Sequence, residues 1–215
     1  ERAALRAPDM RAEDWADLAA GVDGGLERLN AKMQLRALNR DAAGAQEVFD
    51  DIRRRRLQPD LLSHTALLAA HGSAGDATAA ERCFAQLRRA GLQPDLPAFT
   101  ALMKAHSASS SRGAVAKVEG IFENIRRAGL EPDLVCHNTL LGLYARAGRT
   151  ASVRQALGGL RQARLQPDVV TFNLLIDLRA RGEDAAGAAS ALADMRGSRL
   201  KPDVISYNAG ISACE

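Results

Sequence analysis

Arg164-Leu165-Gln166-Pro167-Asp168 closes one stretch of helical pattern and opens the next, and variants of these five residues return along the chain. They stand at Arg56-Leu57-Gln58-Pro59-Asp60, Gly91-Leu92-Gln93-Pro94-Asp95, Gly129-Leu130-Glu131-Pro132-Asp133 and Arg199-Leu200-Lys201-Pro202-Asp203. The prolines are 35, 38, 35 and 35 residues apart. Five terminators at nearly one period define an array of like units. Proline cannot continue a helix, so each marks where one helix stops.

Working back from each terminator, apolar residues recur at i, i+4, i+7. They are Ala45, Phe49, Ile52; Ala80, Phe84, Leu87; Val118, Phe122, Ile125; Val153, Leu157, Leu160; and Ala188, Leu192, Met195. This is the stripe of an amphipathic helix with one buried face. Working forward, a second apolar pattern follows, with Leu67-Leu68, Leu102-Met103, Leu140-Leu141 and Leu174-Leu175-Ile176. Ser63, Thr171 and Ser206 stand near its start, where a hydroxyl suits a helix N-cap. Gly75, Gly148 and Gly182 supply the turn between the two helices. The longer unit takes up three extra residues in the polar stretch from Ser107 to Gly113.

A two-helix unit cannot bury both faces alone, but stacked units share a core. The expected fold is all-α: an α-solenoid of antiparallel helix hairpins forming a right-handed superhelix, with a groove lined by the first helices. The array runs over 26–215, in units 26–60, 61–95, 96–133, 134–168, 169–203 and a partial 204–215. Residues 1–25 do not fit the period and read as a decayed unit or cap, with one helix from Met10 to Val22 that holds Trp15. More units are expected beyond Glu215.

Composition agrees. Of 215 residues, 47% are hydrophobic but only 4% aromatic, which disfavours an aromatic-rich sandwich or barrel core. Alanine, leucine and arginine, all strong helix formers, predominate. A net charge of +3 permits a polyanionic partner without demanding one. The run Arg53-Arg54-Arg55-Arg56 suits a helix C-terminus, with phosphate contact as the alternative. Cys83, Cys136 and Cys214 are odd in number and far apart, which argues against a disulfide framework or zinc site. No apolar stretch is long enough to span a bilayer. The chain begins at Glu1, so any targeting peptide is expected to lie outside it.

Val169-Val170-Thr171-Phe172-Asn173-Leu174-Leu175-Ile176-Asp177 and Val204-Ile205-Ser206-Tyr207-Asn208 resemble the opening of pentatricopeptide repeats. Glu47-Val48-Phe49-Asp50-Asp51-Ile52 with Leu57-Gln58-Pro59-Asp60 resembles their close. The rival is the tetratricopeptide repeat, a 34-residue hairpin that binds peptides. It wants small residues where its helices cross. Met33, Leu68, Met103 and Leu141 stand there in the first helix, and Ile52, Leu87 and Leu160 in the second.

The resemblance implies single-stranded RNA as the partner, one base per unit, read by the fifth residue and the last. The pairs are Asn30 with Asp60, Thr65 with Asp95, Thr100 with Asp133, Asn138 with Asp168 and Asn173 with Asp203; Asn208 begins a sixth. An ionised Asp only accepts hydrogen bonds, which favours guanine and uracil, whose pairing edges carry an imino N–H. By the resemblance Asn with Asp reads uracil and Thr with Asp reads guanine, so the expected core is 5′-UGGUU-3′, followed by a pyrimidine. The second residue of each unit, Leu62, Pro97, Val135, Val170 or Ile205, is expected to clamp a base; Glu27 departs from that pattern. Arg146 and Arg181 are candidates for phosphate contact, with a solvated face as the plainer reading. His71 and His106 read as packed residues, and Cys136-His137 lacks a third partner for nucleophilic catalysis.

The resemblance further implies an organelle, mitochondrion or chloroplast, and a role in RNA processing, stability or translation. No cofactor, metal, membrane or small-molecule substrate is expected. Two other readings stand beside it: a scaffold of a ribosome or other ribonucleoprotein, and the RNA-targeting module of a longer enzyme. The zinc deaminase signature of some relatives, His-x-Glu with Cys-x-x-Cys, does not occur here.

Overall fold

The computed structural model describes residues 25–109 and 113–213. The helix expected from Met10 to Val22, with Trp15, lies outside them, as do Ser110, Ser111, Arg112 and Cys214. The described residues form eleven helices and no strand. They are α1 (Leu26–Leu38), α2 (Ala42–Arg54), α3 (Leu61–Ala74), α4 (Ala77–Arg89), α5 (Leu96–Ala108), α6 (Ala114–Arg127), α7 (Leu134–Arg146), α8 (Thr150–Gln162), α9 (Val169–Arg181), α10 (Ala185–Gly197) and α11 (Val204–Ser212). None is long and apolar enough to cross a membrane.

The chain divides into two units, Glu1–Leu130 and Glu131–Glu215. In the first, α1, α3 and α5 stack side by side, while α2 and α4 each pack on their own partner and on the next first helix. α6 packs on α5. In the second, α7, α9 and α11 stack, α8 packs on α7, and α10 packs on α9 and α11. Each unit is thus a stack of helix hairpins, the arrangement that the period demands.

Every hairpin buries one large side chain from each helix at matching places. Met33, Leu68, Met103, Leu141 and Ile176 in the first helices are at most 1% exposed, as are Ile52, Leu87, Ile125, Leu160 and Met195 in the second. Each such burial contributes roughly 1.5–3 kcal/mol. Phe84, Leu157 and Leu192 lie on the same stripe but remain half-buried. The Phe84 ring packs against Phe99, 5.2 Å between centroids. Backbones approach closely at Gly72 in α3, where a Cβ would stand 2.6 Å from the Ala101 carbonyl oxygen of α5.

The recurring leucine has a specific task. The N–H groups of Leu57, Leu92, Leu130, Leu165 and Leu200 donate back to the carbonyls of Ile52, Leu87, Ile125, Leu160 and Met195, at 3.0–3.3 Å. The residue before each leucine has a left-handed backbone: Arg56, Gly91, Gly129, Arg164 and Arg199, with φ from 55° to 76°. Five Schellman motifs therefore close the five second helices and satisfy carbonyls that a helix end leaves free. At the turns inside two of the hairpins, Gly75 and Gly148 also take left-handed φ. Gly182 does not, at φ −94°; the left-handed step falls on Glu183, φ 55°.

The caps differ from the sequence expectation. Ser63, Thr171 and Ser206 are not N-caps but the third helical residues. The caps are Asp60, Asp95, Asp133, Asp168 and Asp203, whose extended backbones place a carboxylate over the open helix end. A carboxylate also suits the positive end of the helix dipole, which gives Asp an advantage over Ser or Thr there. The extra residues of the long unit lie between Ala108 and Ala114, joining α5 to α6.

Candidate nucleic-acid interface

Each capping carboxylate accepts the backbone N–H three residues on. The five donors are Ser63, Ala98, Cys136, Thr171 and Ser206, at 2.8–2.9 Å. The acceptor is Oδ1 throughout.

The same oxygen meets the fifth residue of the preceding unit. Asn30 Nδ2 donates to Asp60 Oδ1 at 3.1 Å, Asn138 to Asp168 at 3.0 Å and Asn173 to Asp203 at 3.2 Å. The Thr65 hydroxyl lies 3.3 Å from Asp95 Oδ1. Four of the five sequence-assigned pairs are therefore hydrogen-bonded. In the remaining pair, Thr100 and Asp133 belong to different units, and the Thr100 hydroxyl donates to the Leu96 carbonyl at 2.8 Å. A helix cap and a polar pair share one carboxylate, and at Asp60 and Asp168 the contacts converge on Oδ1 rather than Oδ2. The Ser206 backbone N–H, then its hydroxyl and the Asn173 carboxamide, hold the Asp203 carboxyl below the usual carboxylate range against opposing desolvation.

Exposure grades the fifth residues. Asn30 is 1% exposed, Thr100 8% and Asn138 9%. Thr65 and Asn173 are half-buried and Asn208 is exposed.

The second residues of the units do the opposite of what apolar side chains usually do. Leu62, Val135, Val170 and Ile205 are 42–63% exposed, and Pro97 is exposed as well. Stability gives no reason to keep a large aliphatic residue in water at this place in four of the units. In the first unit Leu62, Thr65, Asp95 and Pro97 line a common groove of about 390 Å³. Lys104 and Arg40 line it too, so two cations stand beside the pair. These were missed in the sequence, although Lys104 follows Thr100 by four residues and so shares its helix face.

The cations singled out earlier are less free. Arg181 is ion-paired with Asp177 at 2.8 Å, while Arg146 is exposed at the end of α7. In the four-arginine run, Arg53 lies 5.0 Å from the Phe49 ring centroid, and Arg55 pairs with Asp51 at 2.8 Å. His71 and His106 are buried. His106 Nε2 lies 3.2 Å from Glu81 Oε1, which also accepts from Lys117. Cys136 and His137 are buried. Among the described residues no three His, Cys, Asp or Glu side chains gather where a metal ion could sit.

The sequence profile of the pentatricopeptide repeat domain matches residues 47–108 and 120–183, more than half of the chain. No curated protein matches it in sequence. The fold is shared with solved structures, among them these three. The pentatricopeptide repeat protein PPR10, in complex with an 18-nt psaJ RNA element, superposes with a TM-score of 0.54 at 20% identity, covering 94% of this chain and 35% of that one. The pentatricopeptide domain of Arabidopsis thaliana protein-only RNase P 1, in complex with tRNA, gives 0.65 at 16% identity, covering 84% of this chain and 93% of that one. Nuclear proteinaceous RNase P 2 of A. thaliana gives 0.62 at 12%, covering 84% and 40%. The chain thus spans about a third of PPR10, with 35% covered.

Proposed function

The chain belongs to the pentatricopeptide repeat family, and from that premise we propose that it binds single-stranded RNA along its first helices, one base to a unit. The observation that carries this reading is the recurrence of one constellation. A fifth-residue Asn or Thr is bridged to a capping Asp at 3.0–3.3 Å in four places. Exposed apolar second residues accompany the pairs.

The hydrogen bonds also rationalise the base choice. An Asn whose Nδ2 spends one N–H on the carboxylate keeps a second N–H. That donor, beside the acceptor Oδ2 of the Asp, complements uracil, which offers a carbonyl and an imino N–H. A Thr whose hydroxyl proton is committed, to Asp95 for Thr65 or to the Leu96 carbonyl for Thr100, shows only an acceptor. Two acceptors, Thr oxygen and Asp oxygen, complement the imino and amino N–H groups of guanine. The proposed core is 5′-UGGUU-3′, with the first place weakest because Asn30 is enclosed. The exposed aliphatic residues hold the bases apart, and Lys104 with Arg40 meets the backbone.

The biological role that follows is occupation of a transcript in RNA processing, stability or translation. An organelle is the compartment the family suggests, although RNase P 2, which shares the fold, is nuclear. Binding to a short RNA carrying UGGUU is compared with one carrying AACAA at near-physiological salt. Clear preference for UGGUU supports the reading; tight but indifferent binding replaces it with a backbone-gripping scaffold.

A further inference from the structure

Behind each fifth-residue asparagine stands a hydroxyl. Ser63 Oγ lies 2.6 Å from Asn30 Oδ1, Thr171 Oγ1 lies 2.8 Å from Asn138 Oδ1, and Ser206 Oγ lies 2.5 Å from Asn173 Oδ1. Each hydroxyl also lies 2.8–3.0 Å from the aspartate Oδ1. It has one proton to give, and the carboxamide oxygen is the nearer acceptor in all three units. All three hydroxyl residues are 0% exposed, so they act on RNA only through the asparagine.

Each hydroxyl also accepts the backbone N–H of its aspartate at 3.1–3.3 Å and so completes a capping box, but the carboxylate cap itself forms without it. Asp95 and Asp133 cap helices whose third residues, Ala98 and Cys136, carry no hydroxyl, and their backbone bonds are 2.9 Å like the others. The chain sorts these residues. Where the fifth residue is Asn, at 30, 138 and 173, the third residue of the next unit is Ser, Thr and Ser. Where it is Thr, at 65 and 100, that residue is Ala and Cys.

An asparagine carboxamide can present either its oxygen or its NH2 by a half-turn. A donor behind the oxygen and a carboxylate beside the nitrogen hold one orientation, with NH2 as the face offered. Turned over, the same side chain would offer an acceptor, which suits the amino group of cytosine.

We propose that Ser63, Thr171 and Ser206 are positioning residues that lock the carboxamide of the preceding unit's asparagine and so make that unit select uracil over cytosine. This rests on the base reading proposed above. Binding is measured to UGGUU and to variants with cytosine at the fourth or fifth place, and with adenine at the second or third, for wild type and for Thr171→Ala/Ser206→Ala. The double variant should lose roughly threefold to tenfold of its uracil-over-cytosine preference at each altered place, the size of one net hydrogen bond. Discrimination at the second and third places should stand. Thr171→Ser should behave as wild type, because Ser63 and Ser206 already show that either hydroxyl fits. A converse pair guards against a variant that does not fold. Thr65→Asn should gain uracil selection at the second place more fully with Ala98→Ser than without it. Undiminished uracil preference in the double variant, or no benefit from Ala98→Ser, overturns the proposal. A wild-type chain indifferent between uracil and cytosine overturns the base reading beneath it, and the two failures differ in what wild type does.

Discussion

Asn138 Nδ2 donates to Asp168 Oδ1 across 3.0 Å although thirty residues separate them. The bond joins the first helix of one hairpin to the cap of the next, so one carboxylate serves stability and, in the function proposed above, recognition. These separate by substitution. Asp168→Ala removes the cap of α9 and should cost about 1 kcal/mol. Asp168→Asn keeps capping ability and should cost less than about 0.5 kcal/mol, while losing uracil preference at the fourth place. Urea unfolding read beside RNA binding checks both, and equal destabilisation by the two variants would defeat the division of roles.

Three left-handed arginines are replaceable. Arg56, Arg164 and Arg199 have φ of 58°, 55° and 62° at the Schellman position that Gly91 and Gly129 fill in sister units. A side chain there costs about 1–2 kcal/mol relative to glycine, partly offset by the greater freedom of glycine in the unfolded chain. Arg164→Gly should therefore raise the thermal midpoint, and Gly129→Ala should lower it. A lowered midpoint for Arg164→Gly would show that its side chain contributes more than its backbone loses.

Acid should weaken the fold before its carboxylates titrate. Burial holds the imidazoles of His64, His71 and His106 below their ordinary value of 6.5. Arg53 adds to the effect at His64, while Asp76 opposes it at His71 and Glu81 at His106. As pH falls through about 6.5 the unfolded chain takes up protons that the folded chain refuses, so stability present at pH 7.5 is lost on the way down to the depressed folded values. The carboxyls of Asp41, Asp184 and Asp203, lowered chiefly by backbone N–H bonds, contribute stability that is lost only as pH drops below about 4. Denaturant midpoints at pH 7.5 and 5.0 test this; the lower pH should give the lower midpoint, and identical midpoints would refute it.

Cys83 should be inert while the chain is folded. It is 3% exposed, its sulfur lies 3.6 Å from the His64 carbonyl oxygen, and burial pushes the thiol up to about 12. Thiolate is the reactive form, so iodoacetamide at pH 8 should leave Cys83 unmodified until denaturant is added. Peptide mass spectrometry reads the outcome, and rapid native labelling would contradict the burial.

Gly72→Ala should damage the first unit. The added methyl would meet the Ala101 backbone carbonyl at 2.6 Å, so α3 and α5 would have to separate. Overpacking of this kind costs about 1–3 kcal/mol. A similar substitution at Gly120, which has open space around its Cβ position, should be neutral or slightly stabilising, since alanine is the better helix former. Equal melting of the two variants would remove the argument for close backbone approach.

The period, the helices and their buried stripe were legible because each is local. Proline stops a helix wherever it stands, and residues at i, i+4 and i+7 share a face whatever lies opposite. The leucine after each second helix was visible as a repeat, but its task as the closing residue of a Schellman motif was not. Nor was the left-handed step at Glu183 rather than Gly182, because the turn geometry, not the presence of glycine, sets where that step falls.

The proposed reading pairs were legible as a register and illegible as a geometry. Sequence alone places Asn138 and Asp168 in the fifth and last places of one unit. It assigned the cap to Thr171, because Ser, Thr and Asp are all good caps and a helix start must be known to the residue to choose between them. Stacking decides that choice, together with the enclosure of Asn30, the exposure of Val170 and the hydroxyl behind each asparagine. Those features depend on atoms thirty or more residues apart, brought together only when one hairpin lies against the next. Local propensity and periodicity, which determine the hairpin itself, carry no information about them.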